Sequence, residues 1–220
     1  MDNIPDQAQV FDHVAPGWYN FRHHSIFKTE LAALAERWQK GKLLNLGCGH
    51  GADFVPFKNS FELCGVDFST KMLALAAKYS AKYGFQVELK QADMRALPYD
   101  DGCFEYAIAV ACLHHLSGSN EQLKALLELK RVLKPGGEVL ITVWNRTQVR
   151  FWGKSKELLL PWRGEDGVSE RYYYLFTYGE IKKIVKRAGF KVLQVFPEQS
   201  YRWPVKYFSR NICLLAQKPQ

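Results

Sequence analysis

A short apolar run stopped by glycine or a polar turn recurs five times between residues 42 and 144, and stretches of helical character alternate with it. The runs are KLLNLG (42–47), FELCGVDF (61–68), FQVELKQA (85–92), CFEYAIAVA (103–111) and EVLITVW (138–144). Near-continuous apolar strands of this length suit a parallel sheet covered on both faces, with helices as the crossovers. Helices are predicted over 50–58, 69–83 and 120–132, with Ser69 capping the second and Gly84 closing it. Upstream, residues 6–15 and 24–39 read as helices. The second carries Ile26, Leu31, Leu34, Ala35 and Trp38 at helical spacing and ends at Gly41. Downstream, Thr177 caps a helix to Ala188, and FKVLQVF (190–196) and NICLLAQK (211–218) add two strands as a hairpin-like finish at the sheet edge. The fold class expected is α/β, a doubly wound sheet. Residues 145–176, rich in Arg, Trp and Tyr, break the rhythm and read as a partly helical insertion over the sheet edge.

The 220 residues suit a single domain spanning 1–220. Charged residues interrupt every hydrophobic stretch before it reaches bilayer-spanning length, so no membrane association is expected. The start, MDNIPDQAQVFDHV, is acidic and polar and lacks the pattern of a secretory signal, which points to a cytoplasmic protein. Cys48, Cys64, Cys103, Cys112 and Cys213 form no Cys-x-x-Cys pair, and their odd number and irregular spacing argue against a disulfide framework or a zinc site. Charge is uneven. Between Arg146 and Arg210 there are 14 Lys and Arg against 6 Asp and Glu, a surplus equal to the whole net charge of +8. A polyanionic partner on one face and a merely solvated surface explain that surplus equally well.

The segment Leu43-Leu44-Asn45-Leu46-Gly47-Cys48-Gly49-His50-Gly51 follows the first strand and opens a helix. Glycines at such a bend let the backbone approach a ligand without a Cβ in the way. The spacing is G-x-G-x-G, unlike the G-x-G-x-x-G that wraps a dinucleotide pyrophosphate. Asp67 ends the second strand, 20 residues after Gly47, where a carboxylate can accept from both hydroxyls of a ribose. Asp93 follows the third strand, placed to accept from an adenine amino group, with the Met94 amide adjacent.

Taken in order, LLNLGCGHG, GVDFS, ADMRALPY, FEYAIAVACLHHL and LKPGGEVLIT resemble the successive motifs of class I S-adenosylmethionine (SAM)-dependent methyltransferases over residues 42–144. The resemblance implies a Rossmann-like seven-stranded sheet, mostly parallel with an antiparallel last strand. It implies SAM along Gly47, Cys48, Gly49 and Gly51, with Asp67 and Phe68 at the ribose, Asp93 and Met94 at the adenine, and Ala111 beside the cofactor. Asn45 stands where many members carry an acidic residue, and its amide can still hydrogen-bond. FDHVAPGWYNFRHH (11–24) resembles the family's N-terminal lid, within lid helices spanning 1–40. Tyr19 and Arg22 would then lie near the methionine portion, Arg22 on its carboxylate.

KELLLPWRGEDGVSERYYYLFTYGEI (156–181) resembles the tRNA wobble-uridine methyltransferases, which esterify a carboxymethyl group on uridine in the anticodon loop. The stretches that carry the likeness are Leu159-Leu160-Pro161-Trp162 and Arg171-Tyr172-Tyr173-Tyr174-Leu175-Phe176, with Tyr174 in place of a histidine. An ionised carboxylate needs no base to remove a proton, so the enzyme's task is to orient reactants and exclude water. Arg171 with Tyr172 or Tyr173 would clamp that carboxylate, and His114, by family position, faces the cofactor cleft. His114 and His115 are adjacent and make a poor metal pair. Arg146, Arg150, Arg163, Arg202 and Arg210 are interleaved with Trp152, Trp162, Trp203 and Tyr207, a composition suited to phosphates and unpaired loop bases. The resemblance also implies a small zinc-binding activator as partner. Three rivals stand beside this reading. They are a SAM-dependent methyltransferase of a small molecule such as a quinone, lipid precursor or natural product, an NAD-dependent oxidoreductase, and a non-catalytic tRNA- or SAM-binding module.

Overall fold

Residues 4–164, 167–199 and 205–220 are described by a computed structural model. Parallel strands β1 (Gly41–Leu46), β2 (Phe61–Asp67), β3 (Glu88–Gln91), β4 (Phe104–Val110) and β5 (Leu133–Trp144) are interleaved with helices α3 (Thr70–Tyr83) and α4 (Gly118–Val132). Strand-then-helix order feeds a crossover back onto the sheet, and reversal of direction at β1 gives the order β3-β2-β1-β4-β5. After helix α5 (Tyr178–Arg187), β8 (Lys191–Pro197) turns back into β9 (Asn211–Gln217). β9 pairs antiparallel with both β5 and β8, so the full order ends β5-β9-β8. The doubly wound, seven-stranded sheet with an antiparallel last strand is therefore present.

The pleat sorts side chains onto two cores. Leu44 and Leu46 join Ile212 and Leu214 with Leu126, Leu129, Ile181 and Val185 of α4 and α5. Leu43, Cys213 and Leu215 face the other way, toward Leu31, Trp38, Phe54, Phe57 and Tyr79. Local signals end the helices as expected. The Ser69 hydroxyl accepts from the Met72 N–H at 3.0 Å, Gly84 closes α3 in the left-handed region, and Thr177 forms a reciprocal capping box with Glu180.

Several boundaries differ from expectation. The first helix, α1, runs Gln7–Phe21, through Pro16. Proline deletes one N–H, but Val10, Val14 and Ala15 are buried and packing outweighs that loss. The second helix, α2, is shorter, Lys28–Trp38, and its end is made by Gln39 at φ 62° rather than by Gly41, which already belongs to β1. The stretch predicted as a helix over 50–58 is a single 3₁₀ segment, Ala52–Phe57, because Pro56 lacks the N–H that a longer helix needs. The third strand shrinks to Glu88–Gln91, and the fifth begins earlier, at Leu133.

The largest correction concerns 145–176. Apart from a short 3₁₀ turn at Val149–Phe151, the described part is a β-hairpin of β6 (Glu157–Gly164) and β7 (Gly167–Tyr174). Pro161 disfavours a helix and is tolerated in a two-stranded ribbon, where each strand has an open edge. The hairpin packs on α1. At Gly17 the approach is close, since a Cβ there would sit 3.3 Å from the Trp162 ring. On its opposite side α1 is tied to α3 through Asp12, whose carboxylate accepts from the Ser69 hydroxyl at 2.5 Å and the Lys71 N–H at 3.1 Å. No described helix is long and apolar enough to cross a membrane.

Helix α2 is pinned to the sheet by one buried carboxylate. Glu138 accepts from Arg37 Nε at 2.9 Å and from the Trp38 indole N–H at 2.8 Å, while Trp38 stacks on Tyr106 with ring centroids 4.6 Å apart. Glu138→Ala is expected to cost about 1–3 kcal/mol, because it leaves a buried indole N–H without an acceptor. Glu138→Gln should restore most of that. Urea midpoints of both variants check the pair.

Candidate active site

The strand order reverses between β1 and β4, and a cleft opens there, beyond the carboxyl ends of the strands. Its space, counted to its open mouth, is about 1000 Å³. Gly47 and Gly49 line it at φ 66° and 53°. A Cβ on Gly47 would lie 2.6 Å from Cys112 Cβ, so that position is closed to any side chain. Gly49 differs: its Cβ position meets nothing within 4 Å, and backbone lies bare to the cleft. Cys48 also lines it, but burial pushes its thiol well up and leaves it unreactive.

Asp67 ties this loop to the next element. Its Oδ2 accepts from the Gly49 N–H at 2.8 Å and its Oδ1 from the Ser69 N–H at 3.0 Å. Burial pushes its carboxyl up to about 6, against the pull of these donors. Each oxygen keeps a further lone pair, as two ribose hydroxyls would require. Phe68 and Met94 line the same wall. So does Ala111, which stands in the left-handed region at φ 52° although it is not glycine, with its N–H donating to Thr142 Oγ1 at 2.9 Å.

Four expected cofactor residues are not brought to the cleft wall. Asn45 is fully buried within β1, and neither amide atom has a partner among the described residues. Gly51 packs on Ala76 and opens the 3₁₀ turn. Tyr19 lies one layer behind, edge-on to His50 and Tyr79. Asp93 is outside because Arg95, two residues on, folds back and donates from Nε to both its oxygens at 2.9 and 3.0 Å. That pair holds the Asp93 carboxyl below its ordinary range.

Arg22 does line the cleft, at the end of α1, and beside it is an acid that the sequence reading missed. Asp53 stands at the start of the 3₁₀ turn. Burial pushes its carboxyl up to about 6, while Ser25 and the Arg22 charge pull the other way. Burial in turn lowers Arg22, with Asp53 as the largest opposing charge. An adjacent cation and anion complement a zwitterionic amino-acid group. The signal available in the sequence was an acid four residues after Gly49, next to the glycine loop.

The opposite wall is aromatic and basic. Arg171 is 9% exposed, and its guanidinium carbon lies 4.9 Å from the Trp162 ring centroid, 5.3 Å from Tyr173 and 5.9 Å from Trp18. Its Nε has no acceptor, and no carboxylate among the described residues pairs with it. Tyr173 stacks against Trp144 at 4.1 Å and His114 at 5.3 Å, and those two rings are also in contact with each other at 5.7 Å. His114 Nδ1 accepts from the Trp144 N–H at 3.3 Å, which assigns the proton to Nε2, and Nε2 has no partner among the described residues. Burial, His115 and Arg171 push His114 well below the usual range, so it is neutral. His115 is neutral too and donates from Nδ1 to the Tyr172 carbonyl at 2.8 Å.

Strand alternation decides the fate of the Arg-Tyr-Tyr-Tyr run. Arg171 and Tyr173 face the cleft, whereas Tyr172 and Tyr174 enter the core on the α4–α5 side. Tyr172, expected as part of the clamp, therefore has no access to the cleft. Tyr174, at the departure from the family's histidine, packs on Phe176 and accepts from Lys156 Nζ at 3.1 Å. Arg202 and Trp203 lie outside the described residues.

A methyltransferase-domain family model matches residues 43–137. The chain is 31% identical over 159 residues to an Encephalitozoon cuniculi protein that carries a methyltransferase name, covering 69% of this chain and 70% of that one. It is 35% identical over 155 residues to the tRNA (carboxymethyluridine(34)-5-O)-methyltransferase of Arabidopsis thaliana, which is 70% of this chain but only 35% of the plant protein. The fission yeast (Schizosaccharomyces pombe) protein of the same name is 23% identical over 227 residues, covering 90% of this chain and 93% of its own. Among solved structures, the CcbJ methyltransferase of Streptomyces caelestis superposes with a TM-score of 0.78 at 17% identity, over 98% of this chain and all of that one, and shows the shared fold.

The Asp53 carboxyl titrates near 6 when folded against 3.8 as its ordinary value, so folding binds its proton more tightly. Its contribution to stability is therefore present at acid pH and is lost as pH rises through about 6. Asp53→Asn is expected to raise the melting temperature of the ligand-free chain at pH 7.5, with the gain shrinking at pH 5. The same change should weaken S-adenosylhomocysteine binding roughly 10-fold, as loss of one charged contact does. Melting curves and calorimetry check both.

Proposed function

The chain belongs to the class I SAM-dependent methyltransferases, and from that premise we propose that it esterifies the carboxylate of carboxymethyluridine at the wobble position of tRNA. The observation that carries this reading is Arg171, a buried guanidinium boxed by aromatic rings with no anion among the described residues. A buried cation left unpaired is costly, and a substrate carboxylate is the partner that would relieve it.

The cofactor, when bound, supplies an electrophilic methyl group on sulfur. A lone pair of the carboxylate oxygen forms the new O–CH3 bond, the S–CH3 bond breaks, and its electron pair stays on sulfur. No proton moves. That balance suits a wall on which burial makes His114 and His115 weak bases and keeps the Tyr173 phenol un-ionised. Arg171 would orient the attacking oxygen, and the rings around it keep water out. The partnerless Nε2–H of His114 would donate to a carbonyl oxygen of the pyrimidine, and Tyr173 would support its ring. Gly49 and Asp67 would hold the adenosyl portion, with Arg22 and Asp53 on the methionine portion.

The plant and fission yeast relatives bear the name of this reaction, which supports the reading for a chain that spans about a third of the first and most of the second. The Tyr174 departure does not count against it, because that side chain faces away from the cleft. A small zinc-binding activator would find a place at β3, an edge strand with one open row of backbone groups.

Arg171→Met is expected to leave S-adenosylhomocysteine affinity within about twofold and to lower methyl transfer about 10- to 100-fold, the loss of one charge-assisted contact. Transfer by the parent chain should be nearly independent of pH from 7 to 9, since no group must lose a proton. Nucleoside mass spectrometry of carboxymethylated tRNA incubated with the protein and SAM reads both. Absence of a methyl ester, with a methylated small carboxylic acid instead, would replace the RNA acceptor by a small molecule.

A further inference from the structure

Two segments distant in sequence are sewn into one surface beside the cleft. Asn145 donates from Nδ2 to the Ser209 carbonyl at 3.0 Å, Thr147 from Oγ1 to Tyr207 at 2.8 Å, and Gln148 from Nε2 to Arg210 at 2.9 Å. The surface carries large apolar rings that the fold leaves uncovered. Trp152 is 66% exposed, Tyr207 60% and Phe208 50%. The Trp152 indole N–H is satisfied internally, donating to the Thr147 carbonyl at 3.1 Å, so what that ring offers solvent is its π-face. Between the rings stand Arg146, Arg150, Lys154, Lys206 and Arg210, and neither 144–154 nor 205–210 contains an Asp or Glu. The surface is also continuous with the acceptor wall. The Arg150 guanidinium lies 4.8 Å from the Trp144 ring centroid, and Trp144 stacks on Tyr173.

We infer that segments 146–154 and 205–210 together form a platform for single-stranded RNA flanking the methylated nucleotide, an inference that rests on the reading of the cleft given above. Exposed rings separated by cations match a strand whose unpaired bases stack while its phosphates are neutralised. A duplex offers no free base faces to such rings. A membrane surface would call for a contiguous apolar face rather than rings interspersed with charge. Charge complementarity is local as well as global, because the wholly cationic stretches coincide with the exposed rings. Arg163, by contrast, lies on β6 near the hairpin tip and is not part of the platform.

Two variants of the full chain test it: Trp152→Ala with Tyr207→Ala, and Lys154→Gln with Lys206→Gln. Binding is read by anisotropy on an unmodified RNA stem–loop, on a fully paired RNA of equal length and on phosphatidylserine vesicles. The aromatic pair is expected to weaken stem–loop binding about 10- to 100-fold and paired RNA by less than threefold. The lysine pair should flatten the slope of log affinity against log salt by about 0.7 per lysine. S-adenosylhomocysteine affinity should stay within twofold in both, which establishes that the variants fold. With carboxymethylated stem–loop, KM should rise in parallel while kcat is kept. Unchanged stem–loop affinity in both variants overturns the platform, as does an equal loss on paired RNA or a loss confined to vesicles. The binding arm needs no methyl acceptor. If the parent chain methylates no carboxymethyluridine yet stem–loop binding depends on these residues, the assigned reaction falls and the platform stands.

Discussion

The carboxylate of Asp67 holds two turns of backbone together, and the cleft depends on it. One oxygen takes the N–H of Gly49 and the other that of Ser69, so the end of the glycine loop and the start of α3 share one anchor. Ser69 in turn caps α3 and donates to Asp12, which draws α1 across the top of the strands. A single buried acid thereby links sheet, crossover helix and α1. Its burial has an energetic cost, seen in the rise of its carboxyl to about 6, and that cost is a form of preorganisation. Two acceptor oxygens are thereby held in fixed positions at the cleft.

The other wall is built by different means. The β6–β7 hairpin does not join the main sheet. It leans on α1 and continues through Leu175 and Phe176 to an isolated bridge with Asn145. Because its strand alternates, one face anchors Tyr172 and Tyr174 in the core while the other offers Arg171 and Tyr173 to the cleft. The anchoring face explains how a guanidinium can be held among rings with little room to escape. Burial makes the nearby histidines weak bases and leaves Arg171 as the charge on this wall, a combination suited to binding an anion.

Much of this was legible in the chain. Apolar runs and glycine punctuation marked all seven strands of the main sheet, and Ser69, Gly84 and Thr177 marked helix ends that the backbone respects. The places of Gly47, Gly49 and Asp67 followed from strand ends alone. Where the reading failed, tertiary packing had overridden a local rule. Pro16 did not stop α1 because the helix is clamped between α3 and the hairpin. The 145–176 stretch read as a partly helical insertion, because its two strands pair with each other outside the alternation of the main sheet.

Residue types and spacings by themselves determined the α/β class, the glycine loop, the acid at the end of β2 and the gathering of positive charge in the last third. The class follows from periods of two and 3.6 residues, which are properties of a local backbone, and the rest from which residues stand at the strand ends and where the charges lie. Only the three-dimensional arrangement decided that Arg95 occupies Asp93, that Asn45 sits behind the cleft rather than in it, that Asp53 stands next to Arg22, and that Tyr173 rather than Tyr172 meets the cleft. Asn45, Asp53 and Tyr173 depend on which segments pack against one another, and Arg95 is turned toward its near neighbour while it also reaches Glu121 on α4; no local period encodes such contacts.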